Sequence, residues 1–251
     1  MSAKQPYEIV PGVWGMGSEY VNWYLVIDDA GLTAVDAGLP GYAGSLEADL
    51  AAVGHRPEEI AALVLTHSDA DHTGLAPALQ AAGAQVWIHE GDEDTLRRPR
   101  PKGGEAAPVK ALPHLINPRI WPLLFHLVRS GAARPPKVEG ARTFADGEAI
   151  DVPGAPRAVA TPGHTPGHAA IHFERQGVLF VGDALCTWNP ASGSRGPQAM
   201  PKPMNVDTAE CLRSLDALEP LQAELVLAGH GEPFRGTPAS AVEQARAHGR
   251  G

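Results

Sequence analysis

The sequence predicts an α/β fold built around sheets, and three observations carry that expectation. Its opening residues alternate short apolar runs with turn residues, as a β-meander does. Residues 60–65 (IAALVL) form a near-continuous apolar run of the kind found in strands covered on both faces. Beyond them, segments of strand length and of helical periodicity follow one another to the end of the chain, an order that suits sheets layered against helices.

Taken in order, residues 8–10, 22–28 and 32–36 read as strands, parted by Gly/Pro or by an Asp-Asp-Ala-Gly break. Residues 41–53 carry Leu46, Leu50 and Val53 three to four apart, a helical spacing that Gly54 ends. The strand at 60–65 stops abruptly at Thr66-His67-Ser68-Asp69-Ala70-Asp71-His72, where polar groups replace core residues. Helix resumes at 75–82 and strand at 85–88. Further strands are expected at 158–161, 169–173 and 178–181, a helix at 207–218, a strand at 224–227 and a closing helix from Pro238.

With 251 residues, 43% of them hydrophobic, the chain reads as one globular domain over 1–251. A compact fold of this size hides roughly 70–75% of its unfolded surface, so no disulfide is needed to hold it. The opening MSAKQPYEIV lacks the basic start and apolar run of a signal peptide, and no stretch reaches the roughly 18 apolar residues of a membrane span. A cytoplasmic location follows as the expectation, with Cys186 and Cys211 as reduced thiols. Twenty Lys/Arg against 29 Asp/Glu give a net charge of −9, which argues against a nucleic-acid partner. No solenoid-length repeat or low-complexity tract interrupts the chain.

One segment departs from the acidic whole. Residues 97–142 carry ten Lys/Arg against only Glu105 and Glu139, a net +8 on a remainder of −17. The middle of the segment, 112–128, is rich in Leu, Ile, Trp and Phe but is broken by Pro113, Pro118 and Pro122, which limits it to short helices. We read it as a basic, apolar lid; a surface hairpin or a homodimer contact is the competing reading.

Four histidines fall where α/β folds place their sites. His67, His72, His164 and His230 each follow an apolar run, inside loops of Gly, Thr, Pro and Asp. Residues 67–72 put two imidazoles and two carboxylates within six positions, a density that a core tolerates only with compensation, and a metal supplies it. In an extended loop residues 67 and 69 project to one side, while 71 and 72 can turn to a second point, so two cations could be bridged. Gly163-His164-Thr165-Pro166-Gly167-His168, Gly182-Asp183 and Gly229-His230-Gly231 each add a ligand type.

T-H-x-x-x-D-H, then G-H-T-x-G-H, G-D after an apolar strand and G-H-G after another, in this order, resemble the metallo-β-lactamase-fold hydrolase superfamily over nearly the whole chain. The resemblance implies a four-layer αββα sandwich, two mixed β-sheets flanked by helices, with a binuclear site at one edge. By the same resemblance His67, Asp69 and His164 hold a first metal, Asp71, His72 and His230 a second, and Asp183 bridges them, with Asp71 and Asp183 as the catalytic carboxylates.

The sequence departs from the family's H-x-H-x-D-H at Asp69, which stands where the second histidine is usual. Three carboxylates against two divalent ions and a bridging hydroxide bring the core to about zero net charge, so its water is expected to be less acidic than in the commoner pattern. Two Zn ions are the first expectation, and the extra oxygen donor brings Mn or Fe into range.

The chemistry that follows is metal-assisted hydrolysis of a small ester-like bond, a lactone, thioester or carboxylic ester, by a metal-bridging hydroxide. No G-x-S-x-G elbow or Walker loop offers an alternative nucleophile or phosphate cradle. The expected partner is a small molecule, anionic with an apolar chain, that the lid covers; Trp121, Leu124 and Phe125 would wall an acyl pocket, whereas Lys and Arg facing the metals would mark a phosphodiesterase. Two other classes stay open: a mononuclear iron oxygenase using His72, His164 and Asp183, and a binding protein that keeps its metal for folding. Asp36, ending a strand, reads as a hydrogen-bond acceptor for a ligand histidine or as a cap. His168 reads as a supporting or purely structural residue and Cys186 as a soft ligand, a thiol or a bystander, while the resemblance implies a loop overhanging the site before the strand that Tyr20, Asn22 and Trp23 open, which makes them candidate pocket wall.

Overall fold

The computed structural model describes residues 4–248. Its first sheet has seven strands in chain order. Strands β1 (Tyr7–Val10), β2 (Val13–Gly17), β3 (Asn22–Asp28) and β4 (Gly31–Val35) are antiparallel neighbours. Strands β5 (Ile60–Val64), β6 (Gln85–His89) and β7 (Arg142–Phe144) then add in parallel. Parallel pairing demands crossovers. Helix α1 (Leu46–Ala52) lies between β4 and β5, α2 (Ala70–Thr73) and α3 (Ala76–Ala81) between β5 and β6, and α4 (Glu90–Arg97) begins the connection to β7.

In that connection the prolines break the chain into short helices, as the sequence requires: α5 (Pro108–Ala111), α6 (Trp121–Arg129) and single turns of 3-10 helix between them. The second sheet comprises β8 (Arg157–Ala160), β9 (Ala169–Phe173), β10 (Val178–Gly182), β13 (Leu225–Ala228) and β14 (Phe234–Arg235), and between β10 and β13 the chain forms a separate two-stranded ribbon of β11 (Cys186–Trp188) and β12 (Arg195–Gln198). Its order is β14-β13-β10-β9-β8, with β10 and β13 parallel and the other pairs antiparallel. Helices α7 (Thr208–Ser214) and α8 (Pro238–His248) complete the chain.

Three apolar clusters give the layer order. Tyr24, Val26, Val35 and Val64 of the first sheet meet Ile171, Phe173, Phe180 and Leu227 of the second, so the two sheets pack face to face. Alternate residues of the first sheet, among them Leu25, Leu63 and Val86, bury Leu50, Leu79 and Leu96 from its helices. Leu179, Val181 and Val226 of the second sheet bury Leu215, Val242 and Ala245 on its far side. The result is the αββα sandwich.

Several elements differ from the sequence expectation for local reasons. The helix expected over 41–53 divides into a 3-10 turn, Pro40–Gly44, and α1, because Pro40, Gly41 and Gly44 disfavour regular helix. The one expected over 207–218 divides at Ser214 into α7 and a 3-10 turn. Helix α4 shows no apolar stripe, since only Asp92 and Leu96 are buried. Strands β2, β7, β11, β12 and β14 are too short or too glycine-rich to stand out.

Strands β4, β5, β8, β10 and β13 end at the same edge of their sheets, because each is parallel to its partner or separated from it by one antiparallel strand. The histidine- and aspartate-bearing segments follow those ends.

Candidate metal centre

Past β5 the backbone leaves the sheet and turns into α2, with Asp69 at its N-cap position. The Asp69 side chain makes no capping bond, which frees the carboxylate for the site, while Asp71 and His72 lie within the turn. Buried Asp92 of α4 fixes this loop against the next one: its carboxylate accepts from the Ser68 amide at 2.9 Å and from the Gly167 amide at 2.7 Å. Asn22 steadies the loop after β13 by donating to the carbonyls of Ala228 (3.1 Å) and Gly231 (2.7 Å).

These loops bring together His67, Asp69, Asp71, His72, His164, Asp183 and His230. Donor atoms of His67, Asp69 and His164 lie within 4.8 Å of one another, as do those of Asp71, His72 and His230. A third such set, His67, His72 and Asp183, spans the two. Asp183 Oδ2 is 3.4 Å from His164 Nε2 and 3.3 Å from His230 Nε2, and its Oδ1 is 3.5 Å from His72 Nε2. One carboxylate therefore reaches histidines of both groups. Gly229 permits the approach, since a Cβ there would fall 2.4 Å from Asp183 Oδ1 and from the His72 ring.

Each of the four imidazoles is hydrogen-bonded from behind. Nδ1 of His72 faces Asp36 Oδ2 (2.8 Å), that of His67 faces Thr66 Oγ1 (3.0 Å), that of His164 faces Asn205 Oδ1 (3.1 Å) and that of His230 faces the Tyr20 carbonyl (2.7 Å). The acceptors place a proton on Nδ1 in every case and turn Nε2 toward the centre, the tautomer that metal ligation uses. His67 Nε2, His72 Nε2 and Asp183 Oδ1 are buried there without a hydrogen-bond partner. Three orphaned polar atoms converging on one point would be costly in a purely structural cluster. Imidazole nitrogen and carboxylate oxygen are the donor set that divalent ions take, so the residues fit the metals the sequence implies.

The charges are mutually adjusted. Burial alone would lower the His72 pKa, but Asp183, Asp36 and Asp71 outweigh it and raise it to about 10. The same opposition, with Asp183 and Asp71 dominant, brings His230 to about 9. Burial disfavours ionised Asp183, yet the surrounding histidines hold its carboxyl well below the usual range. His164 moves the other way, lowered by burial and by a neighbouring cation, Lys102.

Lys102 was legible in the sequence only as one cation among ten. Its ammonium donates to His164 Nε2 at 2.8 Å and to the Met204 carbonyl at 3.1 Å, and it pairs with Asp69. Above it, a cavity of about 210 Å³ is bounded by Asp69, Asp71, Asp183 and His230 together with Leu123, Leu127, Met200 and Met204.

The other candidates separate. Asp36 supports His72 directly. His168, neutral because burial and neighbouring histidines lower its pKa, accepts from the Asp183 amide at 2.9 Å while its Nδ1 faces Thr161 Oγ1 at 2.8 Å. Tyr20 contributes its carbonyl, and its ring packs on His126 and Trp188. Trp23 is not pocket wall: it is 1% exposed in the core beneath the first sheet's helices. Trp121 and Phe125 are 59% and 63% exposed on the outer face of α6, and neither they nor half-buried Leu124 line the cavity, because the helix turns Leu123 and Leu127 inward instead. Cys186 is buried in β11, where burial pushes its thiol pKa far up, and it belongs to none of the donor groups.

Comparison with known proteins agrees with this geometry. The model of the Metallo-beta-lactamase superfamily matches residues 16–230. The chain is 28% identical over 253 aligned positions to the Probable metallo-hydrolase YflN of Bacillus subtilis (strain 168), covering 92% of this chain and 88% of that protein. It is 30% identical over 233 positions to the Probable metallo-hydrolase YqjP of the same organism, covering 90% and 70%. Among solved structures, the metallo-beta-lactamase family protein TTHA1429 from Thermus thermophilus superposes with a TM-score of 0.69 at 29% identity, over 97% of this chain and 81% of that one. Among the described residues, no helix is long and apolar enough to cross a membrane.

Proposed function

The chain belongs to the metallo-beta-lactamase superfamily and is a metallo-hydrolase, and we propose that it cleaves a small ester-like bond, in a lactone, thioester or carboxylic ester, with two divalent ions. The observation that carries the two-ion reading is Asp183, whose carboxylate lies within 3.5 Å of histidines from both donor groups. His67, Asp69 and His164 would hold one ion, Asp71, His72 and His230 the other, and Asp183 would touch both. Zn is the first choice, with Mn or Fe as alternatives because of the oxygen donor at Asp69. When bound, such ions acidify a water and polarise the scissile group.

The chain's own residues supply the rest. Asp36, Thr66, Asn205 and the Tyr20 carbonyl keep the imidazoles aimed. To Asp71, partly exposed on the cavity, we assign the part of taking a proton at Oδ2 from the attacking water and returning it to the leaving group. Leu123, Leu127, Met200 and Met204 keep water away on one side and offer an apolar surface to the acyl portion. We assign the 97–142 segment the part of a lid, since α6 lends two of those four residues. A phosphodiester is the second reading, favoured by Lys102, a cation that faces the donors.

Elemental analysis of untagged protein purified without chelator, beside Asp183→Ala, tests the proposal together with a panel of lactones, thioesters, esters and phosphodiesters. The expected result is about two ions per chain, fewer in the mutant, with turnover of an acyl substrate lost in Asp183→Ala while the circular dichroism is kept. A single iron with oxygen consumption, or two ions with turnover of phosphodiesters alone, would overturn the ester reading.

A further inference from the structure

We infer that Lys102 and the ion of the His67, Asp69 and His164 group are alternative occupants of one subsite, so that this group fills only when the lysine leaves. The inference rests on the two-ion reading above and adds a resident competitor to it.

The competition is for particular atoms. His164 Nδ1 is committed to Asn205 Oδ1, which leaves one lone pair, on Nε2, for any cation; Lys102 Nζ already lies 2.8 Å from that atom. The same ammonium pairs with Asp69 Oδ2, the oxygen that lies 3.1 Å from His164 Nε2 and 3.5 Å from His67 Nε2. An ammonium and a metal ion cannot use one lone pair together. The acidic residue is what makes the lysine welcome, since an imidazole at position 69 would offer an ammonium no negative charge.

The lysine fills the subsite incompletely. It engages Asp69 and His164 but leaves His67 Nε2 buried without a partner, whereas a metal ion would engage all three. An arrangement in which the ammonium replaced the ion for good would leave that nitrogen permanently unsatisfied. The other group has no equivalent: among the described residues, the ion pairs of Asp71 and of Asp183 are with histidines only. That group is therefore open to an ion first.

Release needs only the lysine side chain to swing out. Just beyond it the backbone is pinned, because the Glu105 amide donates to the Val206 carbonyl at 3.0 Å and its carboxylate accepts from Thr208. Four rotatable bonds lead from the Lys102 backbone, and Lys102 also borders a second cavity, of about 560 Å³, lined by Ser68, Pro99, Arg100 and Gly103 but by none of Asp71, His164, Asp183 and His230, where the ammonium can go.

The test is calorimetric titration of chelator-stripped protein with Zn²⁺, ions being counted by elemental analysis, on wild type, Lys102→Met and Arg100→Met. Arg100 pairs with Asp94 outside the site and controls for the loss of a nearby positive charge. The second binding event is expected to tighten roughly tenfold to a hundredfold in Lys102→Met, the worth of one charge-assisted hydrogen bond, and to stay unchanged in Arg100→Met. In wild type, which needs no variant to fold, the second ion should speed trypsin cleavage of the bond after Lys102 as the side chain is freed. One ion in wild type and two in Lys102→Met would equally support shared occupancy. Two ions bound with equal affinities in both proteins, and cleavage indifferent to metal, would overturn the inference and leave the two-ion reading standing. One ion in both would overturn that reading, and this inference with it.

Discussion

Asp36 Oδ2 lies 2.8 Å from His72 Nδ1, and the same carboxylate accepts from the Thr66 hydroxyl, whose oxygen in turn faces His67 Nδ1 at 3.0 Å. One buried side chain at the end of β4 thus aims two imidazoles, one in each donor group. Asp36 does so from a left-handed backbone conformation, φ 58°, held by the hydrogen bond its amide donates to the Val64 carbonyl. Non-glycine residues in that region carry a conformational cost that surrounding structure must offset, and such positions concentrate at functional sites.

Replacing Asp36 with Asn keeps one acceptor oxygen but removes the charge that orients His72. Metal affinity is expected to fall roughly tenfold to a hundredfold, the usual cost of losing a partner behind a ligand histidine. Asp36→Ala should in addition lower stability by about 1–3 kcal/mol, because the buried Thr66 amide then lacks its acceptor. Chelator competition and thermal unfolding read the two effects separately, and equal metal affinity in wild type and Asp36→Asn would contradict the positioning role.

Gly229→Ala should empty the centre. Its Cβ would fall 2.4 Å from both Asp183 Oδ1 and His72 Cε1, distances that no rotamer change relieves without moving a ligand. Gly44→Ala is the matched control, since its Cβ would meet nothing within 4 Å and should leave stability within about 0.5 kcal/mol of wild type. Bound metal per chain in the two variants is the measurement. Full occupancy in Gly229→Ala would mean that the loop after β13 yields more easily than its hydrogen bonds suggest.

Metal uptake should release protons and strengthen with pH. In the metal-free protein the pKa of His72 is raised to about 10 and that of His230 to about 9, so near neutrality both rings are protonated and each must shed a proton to coordinate. Affinity at their group is expected to rise between pH 7 and 9 by up to about tenfold per unit for each proton released, then level off above pH 10. The same shifts have the opposite sign for the metal-free fold. Raised values stabilise it fully below the unfolded histidine pKa, near 6.5, and that contribution is lost as pH passes through 9 and 10. Calorimetry in two buffers of different ionisation enthalpy counts the protons, and pH-independent affinity from 7 to 9 would contradict the protonated resting state.

The candidate ligands were legible in the sequence because histidines and aspartates crowd the ends of apolar runs, where a core would not tolerate them. Their supports were not. Asp92, Asn205 and Lys102 come from segments distant along the chain, and each is an ordinary polar residue until the fold carries it to the loops. Trp23 and Trp121 fail as pocket residues for a related reason. The resemblance placed Trp23 near the site and the apolar make-up of the lid placed Trp121 there, but the side of the strand or helix from which each projects decides its fate, and one or two positions separate half-buried Leu124 and exposed Phe125 from the inward-facing Leu123. The fold was easier to read than its short strands, because alternation over five or more residues survives where a two-residue strand such as β14 leaves no pattern.

Asp69→His tests the feature that sets this chain apart from the commoner H-x-H-x-D-H pattern. The substitution exchanges an oxygen donor for a nitrogen donor and removes the charge that Lys102 pairs with, so it acts on selectivity and on competition together. Preference for Zn over Mn is expected to rise by about tenfold or more, following the affinity of imidazole for the later metal. With Asp69 gone, the ammonium would keep only His164 and the Met204 carbonyl, a weaker hold that should make the subsite easier to fill. Competition between the two metals, followed by elemental analysis in wild type, Asp69→His and Asp69→His with Lys102→Met, separates the two contributions. A gain in Zn preference that persists unchanged in the double variant belongs to the donor atom. Tighter binding of each metal titrated alone in the double variant, at an unchanged Zn/Mn ratio, shows that the ammonium still contends for His164, and no gain in Zn preference in either variant would place position 69 outside the coordination sphere.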